Sequence, residues 1–297
     1  MPRSPLEPAE VQLSSVIVNY NSGPELEHAL RSLADDLAGL DWEAVVVDNA
    51  SSDGSADVAQ TFGPRVRLLR NPQNAGFGRG VNQGVRASSA PLILVMNPDC
   101  RLAPGAASAL RTELETHPSC AVVGPRILDP DGSVQGSARG DPDMLTGLFG
   151  RTGALRRLLP WLPLSTRNVV TDQALRSEAR SVVVDWVSGA CMLVRRDAFD
   201  RVAGFDERYF LYWEDADLCR RLRVHGCETR YVPGAAAVHR VGQSSRTARA
   251  ESIRAFHASA YQYYATHVAP AAFSPKRLLA RVLLATRCWL ALRQARS

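Results

Sequence analysis

The chain has 297 residues, 45% of them hydrophobic and 22% charged, which is enough to bury the core of one large α/β domain and excludes a disordered or fibrous class. Its net charge of +5 sits at one end. No acid follows Glu251, whereas Arg254, Lys276, Arg277, Arg281, Arg287, Arg293 and Arg296 do, so the first 251 residues carry five less seven, a net −2. A near-neutral body argues against nucleic acid as a partner, and a basic tail points to an anionic surface or partner.

In chain order, residues 15–19 read as a buried strand, and Leu26, Leu30, Leu33 and Leu37 form the stripe of a helix. Residues 44–48 give a second strand, and the turn at 51–55 caps a helix from about Asp53. Strands at 66–69 and 91–96 follow, separated by a glycine-rich helix start. Next come a helix at 104–117, a strand at 121–128 and the turn Asp129-Pro130-Asp131-Gly132. Periodicity is lost over 136–180, which reads as an insertion or an acceptor-side loop. It resumes at 182–187, with a helix at 215–225, a strand at 229–232, and helices at 251–267 and 276–295. Continuous Val/Ile/Leu runs mark strands covered on both faces, so the expected fold is α/β, a mostly parallel, Rossmann-like central sheet between helices. The expected division is an N-terminal tail (1–13), a main domain (14–250) and a basic helical region (251–297).

The six cysteines include no CxxC pair, fit no zinc site and read as buried thiols of a reducing compartment. Residues 1–13 lack the apolar run of a signal peptide, and no stretch reaches the roughly 20 apolar residues of a membrane span. A cytoplasmic protein is expected, with peripheral contact on the inner face of the membrane as one option.

Ligands of a parallel α/β sheet bind at the carboxyl ends of its strands. Four strands here end in Asn19-Tyr20-Asn21, Asp48-Asn49, Asn71 and Asn97-Pro98-Asp99. One such residue is ordinarily a turn former, but four in succession along one edge favour a ligand site. The segment 74–84 carries Gly76, Gly78, Gly80 and Gly84. A helical glycine costs about 1 kcal/mol relative to alanine, so either a nucleotide approaches this backbone closely or the helix packs tightly on the sheet. Neither a Walker A loop nor a GxGxxG turn after the first strand is present. Glu214, Asp215 and Asp217 open a helix, where acids suit the dipole. The aromatic run 209–213 before them would desolvate these acids and raise a carboxyl pKa toward that of a base. His239 ends a strand-like run and is a ligand candidate only through that context.

Taken in order, Val16-Ile-Val-Asn-Tyr-Asn21, Val47-Asp-Asn-Ala-Ser-Ser-Asp-Gly54, Asn74-Ala-Gly-Phe-Gly78 with Asn82, Asn97-Pro-Asp99, Ser188-Gly-Ala190, Gly204-Phe-Asp-Glu207, Glu214-Asp-Ala-Asp217 and His239 resemble the inverting glycosyltransferases of family 2, which have the GT-A fold, and most of all their bacterial rhamnosyltransferase branch. The resemblance covers about residues 14–245. It implies that Asp48 and the segment from Asn74 to Asn82, with Asn19, Asn21, Gly76, Asn97 and Asp99, bind a nucleotide sugar, with dTDP-rhamnose as the best guess. It further implies that Asp99, at the end of the family's DxD motif, and His239 hold a divalent Mg²⁺ or Mn²⁺, and that Asp215 is the general base. Trp213 and Glu214 would lie on the acceptor side. Asn97 replaces the first acid of DxD and removes one ligand charge, a form common in the rhamnosyl branch.

These residue types suit the reaction. A divalent cation on oxygen ligands offsets charge on a nucleoside diphosphate leaving group, and one carboxylate deprotonates the acceptor hydroxyl. Asp215 and Asp217 lie about 200° apart on a helix, so only one can face the sugar, and the motif favours Asp215. In the tail, Leu278, Leu279, Val282, Leu283, Thr286, Trp289 and Leu290 share one helical face. That face either lies on anionic lipid or packs on the domain. With a membrane contact through 276–295, the acceptor would be a glycan on a polyprenyl diphosphate, used in cell-wall or polysaccharide assembly. A homodimer is also compatible with the sequence. The competing readings are a sugar-1-phosphate nucleotidyltransferase, which needs a basic glycine-rich loop where Asn19-Tyr-Asn-Ser-Gly23 stands, and a non-catalytic sugar-nucleotide-binding protein.

Overall fold

Seven consecutive buried residues, Leu13–Asn19, form β1. Its side chains alternate between two cores, as strand geometry requires. Ile17 joins Leu30, Leu33, Val46, Leu94 and Leu110 on one side of the sheet, and Val16 and Val18 join Val81, Val85, Phe205, Leu218 and Leu222 on the other. The computed structural model describes residues 11–141, 181–240 and 249–295.

The strands after β1 are β2 (Trp42–Asp48), β3 (Val66–Arg70), β4 (Leu92–Met96), β5 (Cys100–Leu102), β6 (Cys120–Leu128), β7 (Ala138–Arg139), β8 (Val182–Val184), β9 (Trp186–Val187), β10 (Cys191–Arg195) and β11 (Glu228–His239). The main sheet runs β3-β2-β1-β4-β10-β6-β11-β5, with β8 added on β11. Pairs β1–β2, β1–β4, β2–β3 and β6–β11 are parallel. Strand β10 lies antiparallel between β4 and β6, so β4, β6 and β11 still point the same way. The carboxyl ends of β1, β2, β4 and β11 therefore fall on one edge of the sheet.

Helices α1 (Glu25–Asp36) and α3 (Ala106–Thr116) cover the first core, and α2 (Phe77–Arg86), α4 (Arg196–Arg201) and α5 (Glu214–Val224) cover the second. Residues Ser55–Arg65, expected as an α-helix, are a 3₁₀ segment interrupted at Gly63 and Pro64. Pro64 has no N–H to donate, and Gly63 takes a positive φ of 73°.

Three sequence expectations shift. Strand β1 begins at Leu13, inside the expected tail, because the chain is already paired one residue earlier through Gln12 N donating to Asp41 O at 2.8 Å. Residues 136–141, expected in the insertion, belong to the fold: β7 pairs with β9, and the Trp186 indole donates to Gly140 O at 3.0 Å. The rest of that expected insertion, 142–180, lies outside the described residues. The boundary at 250 falls inside α6 (Arg249–Tyr263), which a π-helical turn, Tyr264–Val268, continues before α7 (Pro275–Gln294). Helix α6 is joined to the main domain: Phe256 stacks near Tyr212 and Trp213, and Ser259 Oγ donates to Leu211 O at 2.9 Å.

Candidate active site

At the end of β1, Asn19 is fully buried. Its amide donates to Asp48 Oδ1 (3.0 Å), Ser51 Oγ (3.1 Å) and Ser55 Oγ (2.9 Å), and its Oδ1 accepts from Ser22 Oγ. These bonds make Asn19 a support that fixes Asp48, and its Oδ1 keeps one acceptor position free of the bonds described. Asp48 is itself buried, and its Oδ2 also accepts from Ser51 N (3.3 Å) and lies 3.9 Å from Arg70. The exposed rim beside it is built by Asn21, whose Oδ1 accepts from Ser52 N (2.8 Å), and by Asp53, which accepts from Gly23 N (2.9 Å). Asn21 takes a φ of +47°, a left-handed conformation that asparagine tolerates. Asn71 bonds both Asn49 and Gln83 and so ties the ends of β2 and β3 to α2.

The glycine-rich segment is explained by packing. A Cβ on Gly80 would lie 2.9 Å from Val18, one on Gly84 2.4 Å from Val16, and one on Gly76 2.6 Å from the Phe210 carbonyl. These glycines let α2 lie directly on β1 and on the aromatic loop 209–213. Of the two readings of this segment, packing thus accounts for Gly76 without a ligand. Asn74 caps the same turn, its Oδ1 accepting from Gly76 N at 3.0 Å. Asn82, also expected at the donor, bonds the loop 204–207. Its amide donates to Phe205 O (2.9 Å) and to Glu207 (3.2 Å), and its Oδ1 accepts from Phe205 N (2.9 Å). It clamps the 204–207 loop, whose Gly204 has its Cβ position 2.5 Å from that Oδ1.

Past β4, Asn97 and Asp99 meet His239 from the end of β11. Asp99 Oδ1 lies 3.2 Å and Asn97 Nδ2 3.3 Å from His239 Nε2. Gln135 sets the ring. Its Nε2 donates to His239 O (2.9 Å), which leaves its Oε1 facing Nδ1 at 3.1 Å. Nδ1 then carries a hydrogen, and in the neutral form of the ring the Nε2 lone pair faces the Asp99 carboxylate and the Asn97 amide. Two acceptors facing each other at 3.2 Å suit a shared cation, and the N/O set suits a divalent metal with an oriented histidine. Among the described residues no group of three or more His, Cys, Asp or Glu side chains could hold a metal. Asp99 and His239 are the two side chains placed here that could ligate such an ion. Gln135 carries no sequence signal, because its role depends on β6 and β11 being neighbours.

At the start of α5 the three acids separate. Asp215 is half-buried, and its Oδ2 accepts from Gly189 N at 3.0 Å. The same turn bonds the metal-side loop, Asn97 N donating to Ala190 O at 2.9 Å. Residues 188–190 thus couple Asp215 to Asn97. Asp217, expected to be structural, points the other way and is 1% exposed. It accepts from Arg221 Nε (2.7 Å) and His267 Nε2 (2.6 Å). Glu214, expected on the acceptor side, is 5% exposed, and its buried Oε2 has no partner among the described residues. Burial first, and the adjacent Asp215 carboxylate second, push its pKa well above the ordinary 4.5. Trp213 takes a φ of +72° and packs its ring on Phe256 and Tyr263 of α6.

A mostly parallel sheet with paired acids and amides along its carboxyl edge is the framework of a nucleotide-sugar transferase, and the chain belongs to glycosyl transferase family 2, whose sequence model matches residues 14–203. It is a glycosyltransferase. It is 37% identical over 295 residues, 95% of this chain and 94% of the other, to the N-acetylglucosaminyl-diphospho-decaprenol L-rhamnosyltransferase of Mycobacterium tuberculosis. A shorter match, 43% identical over 83 residues (28% of this chain, 31% of the other), is to the rhamnosyltransferase WbbL of Escherichia coli. Among solved structures, the mannosyltransferase PcManGT of Pyrobaculum calidifontis, in complex with GDP-Man and Mn²⁺, superposes with a TM-score of 0.58 at 16% identity, over 96% of this chain and 73% of that one. GalNAc-T7 with UDP, GalNAc and Mn²⁺ gives 0.59 at 16% identity, over 78% of this chain and 44% of that one. At that identity both likenesses establish the GT-A fold alone.

Proposed function

We propose that this glycosyltransferase moves L-rhamnose from dTDP-rhamnose to a hydroxyl of a sugar carried on a polyprenyl diphosphate, with inversion, and that Asp215 is its general base. The near full-length similarity to the mycobacterial rhamnosyltransferase supports the donor and acceptor. The observation that carries the mechanism is the anchoring of Asp215 by Gly189 N, in the turn that also bonds Asn97. Gly189 N on Oδ2 and Ala216 N on Oδ1 fix its orientation, and such backbone bonds favour the charged form of a carboxylate.

In this reading the acceptor hydroxyl approaches Asp215 and gives its proton to the carboxylate as its oxygen attacks the anomeric carbon. A single base and a single displacement invert the centre. Asp99 and His239 would hold Mg²⁺ or Mn²⁺, which when bound offsets the negative charge of the departing diphosphate. Asn21, Ser52 and Asp53 form the rim nearest the buried Asp48, where the nucleoside would sit. A lipid-linked acceptor places the reaction at a membrane face.

The test is release of nucleoside diphosphate from a panel of sugar nucleotides with a polyprenyl-diphosphate acceptor, with Mg²⁺, Mn²⁺ or chelator. Turnover of dTDP-rhamnose that needs the metal and falls about 10²- to 10⁴-fold in Asp215→Asn is the expected result. Preference for another donor would overturn the rhamnosyl reading, and an active Asp215→Asn would overturn the base.

A further inference from the structure

Helix α7 buries only Ala280 (1% exposed) and Leu284 (4%). Its larger apolar side chains face the other way. Leu278, Leu279, Val282, Leu283, Trp289 and Leu290 are all exposed, Leu278 at 66%, and Phe273, just before the helix, is fully exposed. At 100° per residue these six helical positions fall in a sector of about 140°, and Ala280 and Leu284 lie on the opposite side. Packing on the domain and an outward apolar stripe are therefore compatible, because they use different faces. Such a stripe on an otherwise soluble fold marks an interaction site.

The charges around the stripe indicate its partner. Lys276 and Arg281 are exposed, and by the same rotation flank the stripe on its two sides. Arg293 falls within the stripe by the same rotation, in the last turn of the helix, and its guanidinium lies over the Trp289 ring, 3.8 Å from the centroid, from where a long side chain can reach the wet side of an apolar layer. No acid follows Glu251 anywhere in the sequence. A second copy of this helix would bring like charges together, whereas an anionic bilayer would attract them. No helix among the described residues is long and apolar enough to cross a membrane.

We infer that α7 is an interfacial helix that lies on an anionic lipid surface with its outward stripe in the acyl boundary and Lys276, Arg281 and Arg293 among the headgroups. It follows from the helix alone, and rests on the proposed lipid-linked acceptor only for its purpose. The link from α6 to the loop before Asp215 (Ser259 to Leu211, Phe256 on Trp213) would then hold the active site at a fixed attitude to the membrane.

The experiment is co-sedimentation of the full chain with phosphatidylcholine vesicles, with and without phosphatidylglycerol, at low and high salt. Two double variants are compared with the parent, Leu279→Glu with Leu283→Glu and Lys276→Glu with Arg281→Glu, and thermal melts check folding. The parent should bind anionic vesicles about tenfold or more tighter than neutral ones, with salt weakening the preference. Both variants should lose that binding while their donor hydrolysis in free solution is unchanged. A parent that ignores anionic vesicles, or a folded Leu279→Glu/Leu283→Glu variant that still binds them, overturns the inference. So does a parent dimer that this variant splits while vesicles have no effect, because the stripe then belongs to a second copy. Vesicle binding needs no sugar nucleotide, so it can fail while the proposed reaction stands, and the reverse.

Discussion

His267 Nε2 donates to Asp217 Oδ1 at 2.6 Å, and this contact helps tie the C-terminal helices to the helix that carries Asp215. Asp217 is buried at the start of α5, on the face opposite Asp215, with Arg221 on its other oxygen. The basic C-terminal region is thus a structural partner of the catalytic helix.

Asp217→Ala leaves Arg221 and His267 without their shared acceptor, a loss of the kind that costs about 3–5 kcal/mol. In denaturant melts Asp217→Ala should lower stability by that order and His267→Ala by less, because Asp217 keeps Arg221. Their turnover per folded molecule should stay close to that of the parent, since neither side chain faces Asp215. A large loss of turnover without loss of stability would mean that Asp217 shares in the chemistry.

Glu214 sets a pH dependence. Its pKa in the folded protein is raised, so the native state keeps a proton that the unfolded chain releases near 4.5. The unfolded state then binds fewer protons, and stability falls as pH rises. The native advantage is complete below about 4.5 and is lost progressively toward the folded pKa. Glu214→Gln, isosteric and neutral, should remove this slope. Melts at a series of pH values from 4 upward should show the variant gaining on the parent as pH increases. Parallel curves would show that Glu214 ionises normally in the fold.

Much of the fold was legible because it rests on local patterns. The Val/Ile/Leu runs of β1, β2 and β4 and the leucine stripe of α1 reveal covered strands and an amphipathic helix without tertiary knowledge. Strand β10 was not legible, because it follows the Ser188-Gly-Ala190 turn directly and its pairing with β4 and β6 is non-local. The strand-end amides were legible as a group but not singly. Asn19 and Asn82 are of the same residue types as donor ligands, and only the contacts 29 and 123 residues away show them holding Asp48 and Phe205.

The glycines of α2 give a prediction that separates packing from binding. A methyl group on Gly84 would meet Val16 Cγ1 at 2.4 Å, and on Gly80 the two Val18 methyls at 2.9 Å. Overpacking of this kind costs about 1–3 kcal/mol. Gly84→Ala and Gly80→Ala should therefore lower the unfolding midpoint, while titration of the folded protein with dTDP gives an unchanged affinity. An affinity that drops in a protein of undiminished stability would return these glycines to the donor site.

The last prediction concerns Gln135, a residue that touches neither expected metal ligand except through the His239 ring and carbonyl. Its amide fixes the hydrogen on Nδ1 and so presents Nε2 to Asp99. Partners of this kind typically change metal affinity 10- to 100-fold. Gln135→Ala should weaken Mn²⁺ binding in the presence of dTDP by about that factor, measured by Mn²⁺ paramagnetic resonance. His239→Ala should weaken it further. Asp99→Asn should do the same, because it removes the one carboxylate of the pair. Gln135→Glu separates orientation from simple contact. A glutamate can still accept from Nδ1–H but cannot donate to the His239 carbonyl, and its added charge favours an imidazolium, which cannot ligate through Nε2. Its Mn²⁺ affinity should thus fall with the alanine variant at low pH and recover as the ring loses its proton. If all four variants bind Mn²⁺ as the parent does, the cation is held elsewhere, and the 3.2 Å contact of Asp99 with His239 is a salt bridge of the fold.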